Sequence, residues 1–295
     1  VKLRRSLLYI PGNNPAMLQS CPSLGADCVI LDLEDAVAPV HKDEARRLVA
    51  YALRCLPFDG VEKVVRINDV STPWWELDLE EIVPAGPDVI RLPKAESVEN
   101  IRMVDNRITE LEKANGLPEG GIELHILLES AQAVENVAKL VRSCKRVKGV
   151  GLGGQDLTAD MGIRKTSSGD ELAYANGHMI LAAKAAKIDC FDSVYTDIND
   201  GEGLLANTRK AATMGFSGKS AIHPSQVRII NQGFCPPEDI LSHAQDVIAA
   251  AKIARTEGRG AFSVNGKMVD GPVIRQAMNV LAQAGIPCNS EEVLP

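Results

Sequence analysis

Short runs of Val, Ile and Leu alternate along the chain with longer stretches of helical periodicity. The apolar runs fall at residues 6–10, 28–33, 63–67, 88–92, 123–128, 147–152, 191–195 and 218–222. They lack the in-out polar alternation of a half-solvated strand, so they predict strands buried on both faces. Between them lie helical patterns such as 42–55 and 98–115. Such units recur about every thirty residues, enough for a strand, a crossover helix and two loops, and eight is the number that closes. The pattern predicts a (β/α)8 TIM barrel over residues 1–232. A doubly wound open sheet is the alternative, disfavoured because no Gly-rich dinucleotide fingerprint follows the first strand. Residues 233–295 exceed what closure requires. They predict a C-terminal helical extension, acting as a lid or oligomer arm, with helices at 238–256 and 272–284 and a glycine-rich loop or short hairpin at 258–271 between them.

At 295 residues and 45% hydrophobic, the chain supports one large core better than two small domains. Its net charge of -7, with no long basic run, excludes the electrostatic footprint of a nucleic-acid binder. The apolar stretch after Arg4 and Arg5 is cut by Pro11, Gly12, Asn13 and Asn14, a pattern of neither signal peptide nor spanning helix. A soluble, cytoplasmic protein without membrane partners is expected. Seven cysteines, never spaced C-x-x-C, suggest buried reduced thiols rather than a disulfide framework or zinc cluster.

Charged groups gather where the predicted strands end. Asp32, Glu34 and Asp35 follow the second strand, Arg66 and Asn68 the third, Lys94 and Glu96 the fourth, Glu129 the fifth and Asp156 the sixth, while Lys219 and His223 belong to the eighth. In a parallel barrel these ends share one rim, the face that carries catalysis. Glu129 and Asp156, two carboxylates from neighbouring strands without His or Cys beside them, suit Mg²⁺ rather than zinc or copper. Two protein ligands leave positions open for a bidentate 2-keto or 2-hydroxy acid. Arg66 offers a planar fork for a substrate carboxylate, or else an ion pair with Glu34 or Asp35. His223 either touches a phosphate or caps a loop. Asp270 reads, on spacing alone, as a turn residue. Trp74 and Trp75 are expected to begin a helix and pack.

Several motifs in this order are distinctive: RRSLLYIPGNN at 4–14, ILDLEDAV at 30–37, VRIN at 65–68, RLPK at 91–94, LLESAQAV around Glu129, GFSGKSAIHPSQ at 215–226 and NGKMVDGPVI at 265–274. With them the chain resembles, nearly end to end, the citryl-CoA lyase or citrate lyase beta-chain branch of the magnesium-dependent barrel aldolases. The resemblance implies a carbon-carbon lyase that cleaves a citryl thioester to oxaloacetate and acetyl-CoA. It further implies Mg²⁺ on Glu129 and Asp156, a keto-acid carboxylate on Arg66, and Asp270 of the GKMVDGP loop as acid or base, reaching a neighbouring subunit's site. Glu34 is assigned the substrate hydroxyl proton. Gln132, Gly154 and Gln155 are assigned to the substrate, and Arg5, Lys219 and His223 to the coenzyme A thioester or its phosphates. A homotrimer or higher homo-oligomer is expected, with citrate lyase alpha and acyl-carrier subunits as possible partners. The segment GLGGQDLTADMG at 151–162 departs from the beta chains of multi-subunit complexes. Citramalyl-CoA or malyl-CoA lyases or thioesterases are therefore the alternative, with a non-catalytic keto-acid-binding subunit as a reading of another class.

Overall fold

The computed structural model describes residues 2–164, 166, 169–258, 260–289 and 293. Eight parallel strands close on themselves: β1 (Ser6–Pro11), β2 (Cys28–Asp32), β3 (Glu62–Arg66), β4 (Val89–Leu92), β5 (Glu123–Leu128), β6 (Val147–Leu152), β7 (Asp189–Asp192) and β8 (Gly218–Ala221). Closure is made by β1, which pairs with both β2 and β8. The intervening helices are α1 (Pro15–Ser20), α2 (Lys42–Cys55), α3 (Trp75–Ile82), α4 (Val98–Ala114), α5 (Ala131–Leu140), α6 (Gly154–Asp160), α7 (Ala173–Ala186), α8 (Gly201–Met214) and α9 (Pro224–Phe234). This is the (β/α)8 barrel that the apolar pattern predicts.

Local chemistry explains the elements. In α4, Ile101, Val104, Ile108 and Leu111 recur at helical spacing and are buried, and Ser97 caps the helix by accepting the Asn100 N–H. Each such side chain contributes about 1.5–3 kcal/mol on burial. Trp75 opens α3 and is buried, as expected. Inside the barrel, Leu7, Ile30, Val64, Val89 and Phe191 form an apolar layer. Two residues further along β2, β3 and β4 the same inward positions hold Asp32, Arg66 and Arg91, which are register partners. The interior therefore turns polar toward the strands' C-terminal ends. Glycines on β6 make room there: a Cβ on Gly149 would lie 2.5 Å from His125, and one on Gly151 2.7 Å from Nη2 of Arg91.

The opposite, N-terminal end is closed by charge. Arg4, buried just before β1, pairs with Glu62 at the start of β3, Glu123 at the start of β5 and Asp189 at the start of β7. One guanidinium thus ties four alternate strands. Arg5 lies at this same end, its backbone and side chain both donating to Asp27.

Two expectations need correction. The seventh strand is displaced from 191–195 to Asp189–Asp192. Beyond Asp192 the backbone turns away: Asp192 accepts the Ser193 N–H, and the Tyr195 carbonyl accepts the Gln226 amide instead of a neighbouring strand. The thiols are free, but only Cys21, Cys28 and Cys190 are buried, because Cys55 and Cys235 fall at helix ends on the surface.

By contact the chain divides into two compact units, Arg4–Asn231 and one built mainly from Gln232 onward. In the second, α10 (Glu238–Thr256) and α11 (Gly271–Gln283) bury Ala244, Val247, Ile248, Ile274, Ala277 and Leu281 in a core of their own. Between these helices β9 (Phe262–Val264) and β10 (Lys267–Val269) form an antiparallel hairpin. Its two-residue loop, Asn265 and Gly266, takes positive φ at both positions, which Asn-Gly tolerates. No helix among the described residues is long and apolar enough to cross a membrane.

Removing Arg4 would take the guanidinium away from the buried Glu62 carboxylate. Arg4→Met is expected to destabilise the barrel by about 3–5 kcal/mol in urea unfolding; a loss below about 1 kcal/mol would show the clamp to be dispensable.

Candidate functional site

A cavity of about 460 Å³ opens at the C-terminal end of the barrel. Its wall includes Tyr9, Asp32, Asp35, Arg66, Arg91, Glu129, Gly154, Gln155 and Asp156. Glu129 follows β5 and is buried, while Asp156 stands exposed in the first turn of α6. The backbone after β6 lies so close that a Cβ on Gly153 would fall 2.5 Å from Cγ of Glu129.

The Arg66 guanidinium organises this wall. Its Nε and Nη2 donate to the two oxygens of Asp32 at 2.7 and 2.6 Å, a bidentate clasp across adjacent strands. Its Nη1 lies 2.8 Å from Oε2 of Glu34 and 3.2 Å from Oδ2 of Asp35. Glu34 in turn accepts from the Lys94 ammonium at 2.8 Å. Lys94 takes the left-handed backbone conformation, φ 47°, uncommon for a residue with a Cβ. In that conformation its N–H donates to Oε2 of Glu129 at 3.2 Å. A chain of contacts therefore runs from Asp32 through Arg66, Glu34 and Lys94 to Glu129.

Glu129 remains under-compensated. Burial, reinforced by the nearby carboxylates of Glu34 and Asp156, pushes its carboxyl up to about 8. Burial also raises Glu34. A buried acid facing two others is an arrangement that a hard cation would relieve. The described cavity wall offers oxygen donors and no His or Cys, which suits Mg²⁺. Among the described residues no cluster of three or more His, Cys, Asp or Glu could hold a metal. A cation here would rest on Glu129 and Asp156, with water or substrate completing its shell.

The other residues singled out in the sequence divide clearly. Gly154 and Gln155 line the cavity together with Glu129, Asp156 and Arg66. Arg66 is not the open fork expected, since its paired edge is closed on Asp32. Glu34 does not line the cavity; its carboxyl lies between the Arg66 guanidinium and the Lys94 ammonium. Gln132 is exposed on α5 and does not reach the cavity. Arg5 is a correction: it precedes the first strand, so it lies at the barrel's far end with Asp27, about 20 Å of strand away from the rim. Lys219 is another, because its ammonium is buried against Asp192 and the Ser193 carbonyl, both at 2.7 Å, leaving no free cation for a phosphate. His223 is exposed and its ring contacts Ser225 at the start of α9, a loop-capping role. Asp270 caps α11, its Oδ1 accepting the Val273 N–H at 3.3 Å.

Asp32 and Lys94, expected on the rim without a particular role, also shape this site, as do Tyr9 and Arg91, which the sequence did not single out. Asp32 and Arg91 share an inward layer with Arg66, a signal visible only once strand register is known.

Residues 5–224 match the family described as HpcH/HpaI aldolase/citrate lyase. The citrate lyase subunit beta of Leuconostoc mesenteroides subsp. cremoris is 41% identical, covering 96% of this chain and 94% of that protein. The mitochondrial citramalyl-CoA lyase of Mus musculus is 36% identical, covering 95% and 86%. Among solved structures, CitE from Mycobacterium tuberculosis in complex with magnesium, acetoacetate and coenzyme A superposes with a TM-score of 0.78 at 31% identity, covering 96% of this chain and 98% of that one. The family match over residues 5–224 and the likeness to relatives over nearly the whole chain agree, and the chain belongs to the HpcH/HpaI aldolase/citrate lyase family.

Proposed function

We propose that this carbon-carbon lyase cleaves a citryl thioester of coenzyme A to oxaloacetate and acetyl-CoA, using Mg²⁺ held by Glu129 and Asp156. The observation that carries the reading is Glu129: a buried carboxyl on the cavity wall, near Asp156, whose burial and carboxylate neighbours outweigh the cations of Arg66 and Lys94. Bound there, Mg²⁺ would supply Lewis acidity toward the hydroxyl and carboxylate oxygens of the substrate, easing loss of the hydroxyl proton to water. Arg66, braced by Asp32, meets a substrate carboxylate in place of Asp35, the most exposed of its three partners. Gly154 and Gln155 present the backbone and amide around the same group. Glu34 holds Arg66 and Lys94 in position. As the bond between the carbinol carbon and the thioester's alpha carbon breaks, the alpha carbon retains the electron pair and takes a proton from an acid, the role that the family resemblance gives to Asp270 reaching in from a neighbouring subunit. Homo-oligomeric assembly, and citrate lyase alpha and acyl-carrier partners, belong to the same proposal. Citramalyl-CoA is the second reading, supported by the 36% identity to the mouse enzyme.

Incubating the purified protein and Mg²⁺ with citryl-, citramalyl- and malyl-CoA, and assaying released keto acid, tests the choice. Oxaloacetate from citryl-CoA is expected; release of pyruvate or glyoxylate alone would favour an alternative, and no release at all would abandon the lyase reading for this chain acting by itself.

The raised Glu129 carboxyl gives a pH signature. Between the ordinary carboxylate range and about 8, the cation-free fold keeps a proton that the unfolded chain has released. Its contribution to stability is therefore complete at low pH and lost as pH rises through about 8. The magnesium-free melting temperature should fall from pH 6 to pH 8, and the rise produced by added Mg²⁺ should be larger at pH 8. Glu129→Gln should remove both effects together with turnover.

Asn caps helices as well as Asp. Asp270→Asn should thus keep α11 and Mg²⁺ binding while lowering kcat by about 10²-fold or more, as for loss of a general acid. A fully active variant would rule out the proton-donor role.

A further inference from the structure

We propose that Arg91 is the receptor for a second carboxylate on the keto acid, which makes the cavity selective for a dicarboxylic keto acid over a monocarboxylic one. The inference rests on the lyase reading for the identity of the substrate, but its own evidence is separate. Arg91 sits on β4 with its side chain turned into the barrel, 1% exposed, yet it lines the cavity. Its Nε and Nη1 are buried without hydrogen-bond partners, and among the described residues no carboxylate pairs with it. Its neighbours are aromatic faces: the guanidinium carbon lies 5.9 Å from the Tyr9 ring centroid and 5.7 Å from that of Phe191. These contacts favour a cation, but they supply no counter-charge.

Every other buried guanidinium inside the barrel unit is paired. Arg4 has three carboxylates, Arg46 has Asp43 and Asp78, Arg66 has Asp32, Glu34 and Asp35, and Arg146 has Asp105 and Glu112. Arg91 departs from that rule, and the barrel gives up a side chain to accommodate it, since a Cβ on Gly151 would strike its Nη2. A buried, unpaired charge is strongly unfavourable. Placed on a cavity wall, it is a site prepared for an anion that arrives from outside. Arg66 already has carboxylates to hold, so the two arginines differ: Arg66 is charge-balanced by the protein, and Arg91 awaits its partner. A keto acid engaged at Glu129 and Asp156 through its keto-carboxylate end would carry a second carboxylate toward Arg91 if it has one. Oxaloacetate has that group; pyruvate and glyoxylate lack it.

The test is calorimetric titration of oxaloacetate and of pyruvate, each with Mg²⁺, into wild type, Arg91→Met and Arg91→Lys, with melting curves of the ligand-free proteins. Wild type is expected to prefer oxaloacetate by about tenfold or more, as a charge-assisted pair would give. Arg91→Met should erase that preference, leave pyruvate affinity nearly unchanged, and melt higher than wild type without ligand, because the unpaired charge is gone. Arg91→Lys should keep part of the preference and remain folded even if the methionine variant does not. Equal wild-type affinities, or an undiminished preference in either variant, would overturn the proposal. So would a lower melting temperature in Arg91→Met, which would mark the guanidinium as structural. A retained oxaloacetate preference in a protein that cleaves no thioester would sink the lyase reading and leave this one standing.

Discussion

The clasp between Arg66 and Asp32 is the interaction on which the rim depends. Both side chains point inward from adjacent parallel strands at the same level, where bulk water cannot screen them. Their two parallel hydrogen bonds fix the guanidinium plane, and the plane fixes where Glu34 and Asp35 reach it. Glu34 then determines the position of the Lys94 ammonium, whose left-handed backbone presents an N–H to Glu129. Weakening the clasp would therefore displace groups well beyond the pair. It would also leave Asp32 and Glu34 as buried charges without their shared cation, a larger penalty than the loss of any surface ion pair.

The two ends of the barrel treat charge in opposite ways. At the N-terminal end Arg4 is enclosed by Glu62, Glu123 and Asp189, so the charges answer one another and hold the strands together. At the C-terminal end the balance is incomplete: burial and neighbouring carboxylates outweigh the cations near Glu129, and among the described residues no carboxylate pairs with Arg91. One end is built for cohesion, while the other sets a buried acid that holds its proton up to about 8 beside a buried guanidinium on one cavity wall. A cation would release the Glu129 proton and an anion would pair the guanidinium, so the two entering together would relieve both.

The strands and their parallel arrangement were legible in the sequence because doubly buried β-structure leaves unbroken apolar runs, and seven of the eight runs fall within two residues of the observed strands at each end. The seventh was misread because Asp189 and Asp192, both polar, lie inside the strand while the apolar-looking continuation to Tyr195 lies outside it. That Glu129, Asp156 and Arg66 line one cavity was legible because strand ends in a parallel barrel share one face. Arg5 was misplaced for the same reason in reverse: it stands at a strand's beginning, the other face. Lys219 looked like a free rim cation, but its partner Asp192 belongs to a strand whose end had been put in the wrong place. Register, which sequence pattern does not contain, was needed to see that Asp32, Arg66 and Arg91 share one layer.

Register also explains how two arginines on neighbouring strands come to do different work. Arg66 is paired in register with Asp32 on one side and Arg91 on the other, so a single acid on β2 is in reach of the first arginine and not of the second. Across from Arg91 on β5 stands His125, not a carboxylate, and β6 contributes Gly151 rather than a side chain. The Tyr9 ring lies against both guanidinium groups, which keeps two like charges at one level without bringing an acid between them. A barrel that needed only stability at this level could have placed an apolar residue at position 91, continuing the layer of Val89 beneath it. Keeping a cation there makes chemical sense only if its counter-charge is part of the cargo.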